Sequence, residues 1–211
     1  MMIIIMMLML MIMMMIMIMI YNNSYKYPYE IHDFLSSYEC DIIIKKCQNK
    51  LVKSEVYKGE INEYDKSRDS LQCWLNDSDP LIASISDRVA KLTNTNIKQQ
   101  EILQVVKYNE NGYFTDHFDA CGRDADFCKK MTEYFNGKDR LYTVLIYLND
   151  DYEGGETVFP NINKIIKPEK GKAVVFKNID HNDKIITQSL HRGNPIIKGV
   201  KYICNKWIHS I

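Results

Sequence analysis

His117-Phe118-Asp119 sits in a run of β-forming residues. In a strand, positions i and i+2 project to the same side, so one imidazole and one carboxylate converge on a point. A third ligand from elsewhere would complete a set of two histidines and one carboxylate. Such a set holds Fe(II) on one face and leaves positions open for co-substrate and oxygen. His191 suits the third position best, because it follows the apolar run Ile185–Leu190 and precedes a Gly193-Asn194-Pro195 turn. Further on, Lys201 opens the last β-rich run, where its ammonium could hold a remote carboxylate. Alone, a His-x-Asp pair is a weak signal, since most such pairs are ordinary surface or packing residues. His32, His181 and His209 have no comparable companions and read as structural or solvated.

These residues need a scaffold, and the hydrophobic pattern supplies one. Asp79-Pro80 starts a helix, with Ser78 or Asp79 as cap, and Ile82, Ile85, Val89 and Leu92 form its buried face. Beyond it the pattern shifts to short β-rich runs: Glu101–Tyr108, Tyr113–Asp119, Leu141–Leu148, Thr157–Phe159, Ala173–Phe176, Ile185–Leu190 and Lys201–Ile208. Turn residues separate them, notably Asn111-Gly112, Glu153-Gly154-Gly155 and Lys170-Gly171. A helix followed by about seven short strands predicts a mainly β fold with flanking helices, a sandwich or open barrel.

Composition bounds the function. The chain has 211 residues with Lys+Arg 27 and Asp+Glu 27, so it lacks the basic excess of a general nucleic-acid binder. Nine glycines and five prolines exclude a collagen-like or linker chain, and 14 tyrosines argue against disorder. Residues Met1–Ile20 are all Met, Ile or Leu. As a helix this block spans about 30 Å, the hydrocarbon thickness of a bilayer. It has neither a basic leader nor a small-residue cleavage site, so an uncleaved membrane anchor fits better than a cleaved signal. Low-complexity coding is the plain alternative. The expected organisation is 1–20 hydrophobic anchor helix, 21–78 polar lead-in and substrate-loop region, and 79–211 functional domain. Six cysteines (Cys40, Cys47, Cys73, Cys121, Cys128, Cys204) form no CxxC pair, which argues against a zinc ribbon. Their even count permits disulfides in a secretory lumen, with Cys121–Cys128 the expected pair; thiols in a reducing cytosol are the alternative.

The run Gln104-Val105-Val106-Lys107-Tyr108 through Asn111-Gly112-Tyr113-Phe114-Thr115-Asp116-His117-Phe118-Asp119 resembles the prolyl 4-hydroxylase group of Fe(II)/2-oxoglutarate oxygenases. Further blocks follow in the family's order: Arg140–Asp150, Gly154–Pro160, Pro168–Phe176, His191–Lys201 and Asn205–Ile208. The resemblance covers residues from about 79 to 209 and implies a double-stranded β-helix (jelly-roll) barrel. It implies His117, Asp119 and His191 as iron ligands, and Lys201 as the partner of the far carboxylate of 2-oxoglutarate. Tyr108 and Thr143 fall where family members place hydroxyls near that co-substrate. Arg140 and Trp207 match positions near the cleft, and Arg68-Asp69-Ser70 falls in a mobile substrate loop. Lysine at position 201 matches the procollagen-type group, whereas hypoxia-type and lysyl hydroxylases generally use arginine.

What the resemblance implies is an Fe(II)- and 2-oxoglutarate-dependent dioxygenase with O2 as oxidant and L-ascorbate as a family reductant. Its substrate would be peptidyl proline, hydroxylated at the 4-position in proline-rich or collagen-like chains, with succinate and CO2 as co-products. The expected setting is a membrane-anchored enzyme of the endoplasmic reticulum or secretory lumen. The rival readings are a same-scaffold oxygenase acting on another side chain or small molecule, and a non-catalytic peptide-binding scaffold. Two departures stand out: Arg192 and Asn194 interrupt a family His-Ala-Gly-Cys-Pro run, and Tyr202 replaces a common tryptophan. Both spare the ligands and lie on the substrate side.

Overall fold

The computed structural model describes residues 7, 9–14, 28–58, 61–63, 65–122 and 132–210. Ser36 and Glu39 form a reciprocal capping box that starts helix α1 (Ser37–Cys47), whose buried face is Cys40, Ile43 and Cys47. Asp79 caps α2 (Pro80–Thr93), with proline in the first turn and Ile82, Ile85 and Val89 buried. Asn94 ends that helix in the left-handed conformation. This is the helix that the apolar spacing predicts.

The strands run in chain order β1 (Tyr29–Ile31), β2 (Val52–Lys53), β3 (Val56–Lys58), β4 (Ile61–Glu63), β5 (Arg68–Asp69), β6 (Leu71–Leu75), β7 (Leu103–Tyr108) and β8 (Tyr113–His117). They continue with β9 (Arg140–Tyr147), β10 (Glu153–Gly154), β11 (Thr157–Phe159), β12 (Lys164–Ile166), β13 (Ala173–Lys177), β14 (His191–Gly193), β15 (Ile196–Lys198) and β16 (Lys201–His209). A seven-stranded sheet has the order β1-β13-β9-β16-β7-β6-β2, and a five-stranded sheet the order β12-β11-β14-β8-β5. The two small ladders β10-β15 and β3-β4 complete the set.

Side-chain alternation explains the layers. On the large sheet, Leu103, Val105, Val144, Ile146, Ala173, Val175, Cys204 and Ile208 pack with the faces of α1 and α2. Their neighbours Val106, Tyr108, Leu145, Tyr147, Val174, Phe176 and Ile203 point the other way and pack with Phe159 and Ile166 of the small sheet. Two sheets enclosing one core, with helices behind the larger, are the expected jelly-roll barrel.

The lead-in 21–78 supplies strands to both sheets: β1 pairs with β13, β6 with β7 and β5 with β8. The run Ile185–Leu190 is not a strand. It holds a 3-10 turn at Thr187–Ser189, and the strand begins at His191 itself. Cys47 is joined to Cys73, tying the end of α1 to β6. Cys121 is also disulfide-bonded, but its expected partner Cys128 lies outside the described residues. Met7 and residues 9–14 are helical with exposed side chains, and the rest of Met1–Ile20 lies outside the described residues. No helix among the described residues is long and apolar enough to cross a membrane.

Candidate active site

Strands β8 and β14 run antiparallel with His117 opposite His191. That register sets the two imidazoles side by side, ring centroids 4.1 Å apart. Asp119 stands just past the end of β8, and its carboxylate oxygens lie 3.7 Å from His117 Nε2 and 3.9 Å from His191 Nε2. One ligand atom from each residue therefore lies within 4.8 Å of the other two, as a shared metal ion requires.

The tautomers are set by the backbone. His117 Nδ1 donates to Thr115 O (2.8 Å) and His191 Nδ1 donates to Ser189 O (2.9 Å). A carbonyl can only accept, so each Nδ1 carries hydrogen and each Nε2 turns a lone pair toward the shared point. This is the outer hydrogen bonding that orients ligating histidines. Burial beside His191 lowers the pKa of His117, which keeps it in the neutral, ligating form. Burial works against ionisation of Asp119, yet the two imidazoles, Arg140 and the Thr143 hydroxyl hold its pKa below the usual carboxylate range. Two imidazoles and one carboxylate are the donor set that suits Fe(II).

Phe114 stacks on His117 at 3.6 Å, while Phe176 and Phe159 pack on His191, so apolar rings close the sides of the cluster. From there a cleft runs along β16, lined by Lys201, Ile203, Asn205 and Trp207 on one wall and by Phe114, Thr157, Arg192 and Gly193 on the other. Lys201 is 2 % exposed. Its ammonium donates to Gly155 O at 2.7 Å, and the Tyr108 and Tyr147 rings lie 5.3 and 5.5 Å away. Gly155 has φ +68, and a Cβ there would come 2.4 Å from Ile196 Cδ1 and 3.2 Å from Lys201 Cδ. Only glycine lets the carbonyl meet the ammonium this way. Burial pushes the Lys201 pKa down to about 7, against a smaller upward pull from Glu156. A carboxylate entering the cleft would find a cation with little internal compensation.

The structure thus brings His117, Asp119, His191, Lys201 and Tyr108 to one cleft. Thr143 is different. Its hydroxyl donates to Asp119 Oδ2 at 2.6 Å and accepts from Asn178 Nδ2 at 2.9 Å, so it braces the carboxylate instead of facing the Lys201 end. The hydroxyl on the cleft wall is that of Thr157, which receives a bond from Tyr147 Oη at 2.6 Å. Arg140 pairs with Glu101 through two bonds, at 2.5 and 2.9 Å, and lies 3.7 Å over the Trp207 ring. His209 donates to Lys138 O and to Glu101, which completes a buried polar knot behind Trp207. Sequence reasoning missed Arg68 as a cleft residue. It is 8 % exposed, donates to Ser70 Oγ and stands 4.8 Å over the Phe114 ring. The only sequence signal was its place in the expected substrate loop.

Comparison with known proteins agrees with this geometry. The family model described as the 2OG-Fe(II) oxygenase superfamily matches residues 103–209. A chain of Acanthamoeba polyphaga mimivirus named as a prolyl 4-hydroxylase is 34% identical over 191 residues, 90% of this chain and 76% of that one. Prolyl 4-hydroxylase subunit alpha-2 of Gallus gallus is 32% identical over 182 residues. That match takes in 85% of this chain but only 33% of the subunit, so the present chain spans about a third of that animal relative. Among solved structures, a viral collagen prolyl hydroxylase of Paramecium bursaria Chlorella virus-1 in complex with 2OG superposes with TM-score 0.71 and 31% identity. The superposition covers 88% of this chain and 97% of that one.

Proposed function

The chain belongs to the prolyl 4-hydroxylase group of the 2OG-Fe(II) oxygenase superfamily, and from that premise we propose that it hydroxylates the 4-position of prolyl residues in proline-rich or collagen-like polypeptides. The observation that carries the reading is the convergence of His117, Asp119 and His191 in one cleft with the buried, poorly compensated ammonium of Lys201. When bound, Fe(II) and 2-oxoglutarate supply the oxidising chemistry: with O2 the co-substrate goes to succinate and CO2, and one oxygen atom reaches an unactivated carbon.

The protein's own part is position, charge and exclusion of water. His117 and His191 would hold the metal through Nε2 and Asp119 through its carboxylate, each already oriented by Thr115 O, Ser189 O and Thr143. Lys201 would pair with the far carboxylate of 2-oxoglutarate, with the hydroxyl of Tyr108 on its own wall of the cleft and that of Thr157 on the facing wall. Phe114, Phe159 and Phe176 keep solvent from the imidazole faces. L-ascorbate, implied by the family, would serve as the reductant that keeps the iron ferrous.

The apolar block Met1–Ile20 supports a membrane-anchored enzyme, and the disulfides at Cys47–Cys73 and Cys121 support an oxidising lumen such as the endoplasmic reticulum. Full-length protein should partition with membranes, while a chain starting near Asn22 stays in solution and keeps catalysis. Recovery of full-length protein as a detergent-free monomer would end that proposal. The activity itself is tested by supplying Fe(II), 2-oxoglutarate, O2, ascorbate and a proline-rich peptide. Succinate should form in step with 4-hydroxyproline. Succinate formation without any modified proline would favour another side chain or a small molecule as the substrate.

A further inference from the structure

Two guanidinium groups on the small-sheet wall have no assigned role. Arg68 of β5 and Gly193 of β14 both register with Phe114 of β8, and the Arg68 guanidinium stands 4.8 Å over that ring. The β8–β14 register shifts between His191 and Gly193. A bulge at that point re-aims the side chain it carries, and Arg192 lines the cleft together with Arg68.

Beyond the metal site, the co-substrate and Lys201, the cations lining the cleft are Arg68 and Arg192, with the carboxylates of Glu156 and Asp116 at its margin. Fe(II), Asp119, dianionic 2-oxoglutarate and Lys201 sum to zero. Arg140 is matched by Glu101. Arg192 has only a loose contact to Asp116 (3.3 Å) and a bond to Asn194 (3.1 Å), and both Arg192 and Asp116 are more than a third exposed. Such an exposed pair is weak and readily exchanged. Arg68 is over nine-tenths buried, and its partners are the Ser70 hydroxyl, Tyr108 and the Phe114 ring. Among the described residues no carboxylate lies within ion-pair distance of it, although the charge of Asp119 acts on it from further off. Arg68 lines the cleft, and a guanidinium there without an ion pair has a planar fork suited to an entering carboxylate.

We propose that Arg68 and Arg192 form an anion-binding wall that selects polypeptides carrying an acidic side chain beside the target residue. The inference rests on reading the cleft as a polypeptide site and goes beyond it by naming the charge of the preferred sequence. A basic residue at the same place would meet two like charges, which suppresses wrong partners as strongly as the acidic one attracts the right ones.

Three fluorescent peptides of equal length, differing only in Glu, Gln or Lys beside a single proline, test it. Each is titrated by anisotropy against the anaerobic protein loaded with Fe(II) and 2-oxoglutarate, and air is then admitted and the mass gain of each peptide measured. The Glu peptide should bind about tenfold tighter than the Gln peptide and the Lys peptide weaker still, with the spread shrinking as salt is added. Arg192→Glu, at an exposed position that folding tolerates, should invert the order, and Arg68→Lys should narrow the spread. Equal affinities for the three peptides, or an order unchanged in Arg192→Glu, would overturn the inference. Charge-blind binding with normal hydroxylation leaves the prolyl reading intact, whereas Glu-selective binding without hydroxylation removes that reading and keeps the wall.

Discussion

Strand β16 carries two buried lysines that face opposite sides of the large sheet, and their surroundings differ. Lys206 is 1 % exposed and points toward the helices, where its ammonium meets Asp77 at 3.4 Å. Asp77 in turn accepts from Ser86 Oγ of α2, so this charge is used up inside the protein, pinning the sheet to a helix. Lys201 points into the cleft and meets a single backbone carbonyl and two aromatic faces. Burial lowers the pKa of both. Equal burial with unequal compensation separates a structural cation from a ligand-seeking one.

The largest effect expected is at the metal cluster beside Lys201. His117→Ala, Asp119→Ala or His191→Ala should each abolish hydroxylation and weaken Fe(II) or Co(II) binding by about two orders of magnitude or more, read by calorimetry. Near-normal metal affinity in any one of them would remove that residue from the ligand set. Next comes Lys206→Ala, which leaves Asp77 without its cation and opens a void. It should cost about 1–3 kcal/mol of stability, given that Asp77 is partly solvated, and leave 2-oxoglutarate affinity unchanged. Thermal unfolding with and without co-substrate checks both halves of that statement.

The smallest effect is one of pH. In the free protein Lys201 is charged only below about pH 7. Pairing with a carboxylate raises that pKa, so binding takes up a proton above pH 7. Affinity for 2-oxoglutarate should therefore be full below pH 7 and fall by up to about tenfold per unit above it. Lys201→Arg keeps its charge and should bind with little change between pH 7 and 9. A wild-type affinity that is flat over that range would mean Lys201 is already charged before the ligand arrives.

The residues that do the chemistry were more legible in sequence than their supports. His117, Asp119, His191 and Lys201 stand in β-rich runs where spacing suggests a shared site, and the family resemblance fixes their roles. Thr143 shows where that logic stops. It lies on the cleft side of β9, as Tyr147 does, but register puts it opposite Trp207, whereas Tyr147 stands opposite Ile203. At about 3.3 Å per residue, that leaves it roughly 13 Å along the strand from the Lys201 end. Register is a property of pairing between distant segments and cannot be read from one strand alone, which is also why Thr157 escaped notice. The signal for α1 was present in Ser36 and Glu39, at capping-box spacing, but the polar surroundings masked the three-four repeat of Cys40, Ile43 and Cys47. Arg68 was obscure because its strand has two residues and acquires meaning only when β5 folds against β8.

Titration of 2-oxoglutarate into the Fe(II)-loaded Lys201→Ala protein under anaerobic conditions tests the central claim most directly. Removing one partner of a largely desolvated ion pair costs about 3–5 kcal/mol. At about 1.4 kcal/mol per decade, Kd should rise by roughly two to three and a half orders of magnitude while Fe(II) affinity stays close to that of the native protein. An unchanged Kd would contradict the account, because Lys201 would then be a second Lys206, a buried cation with no part in holding the co-substrate.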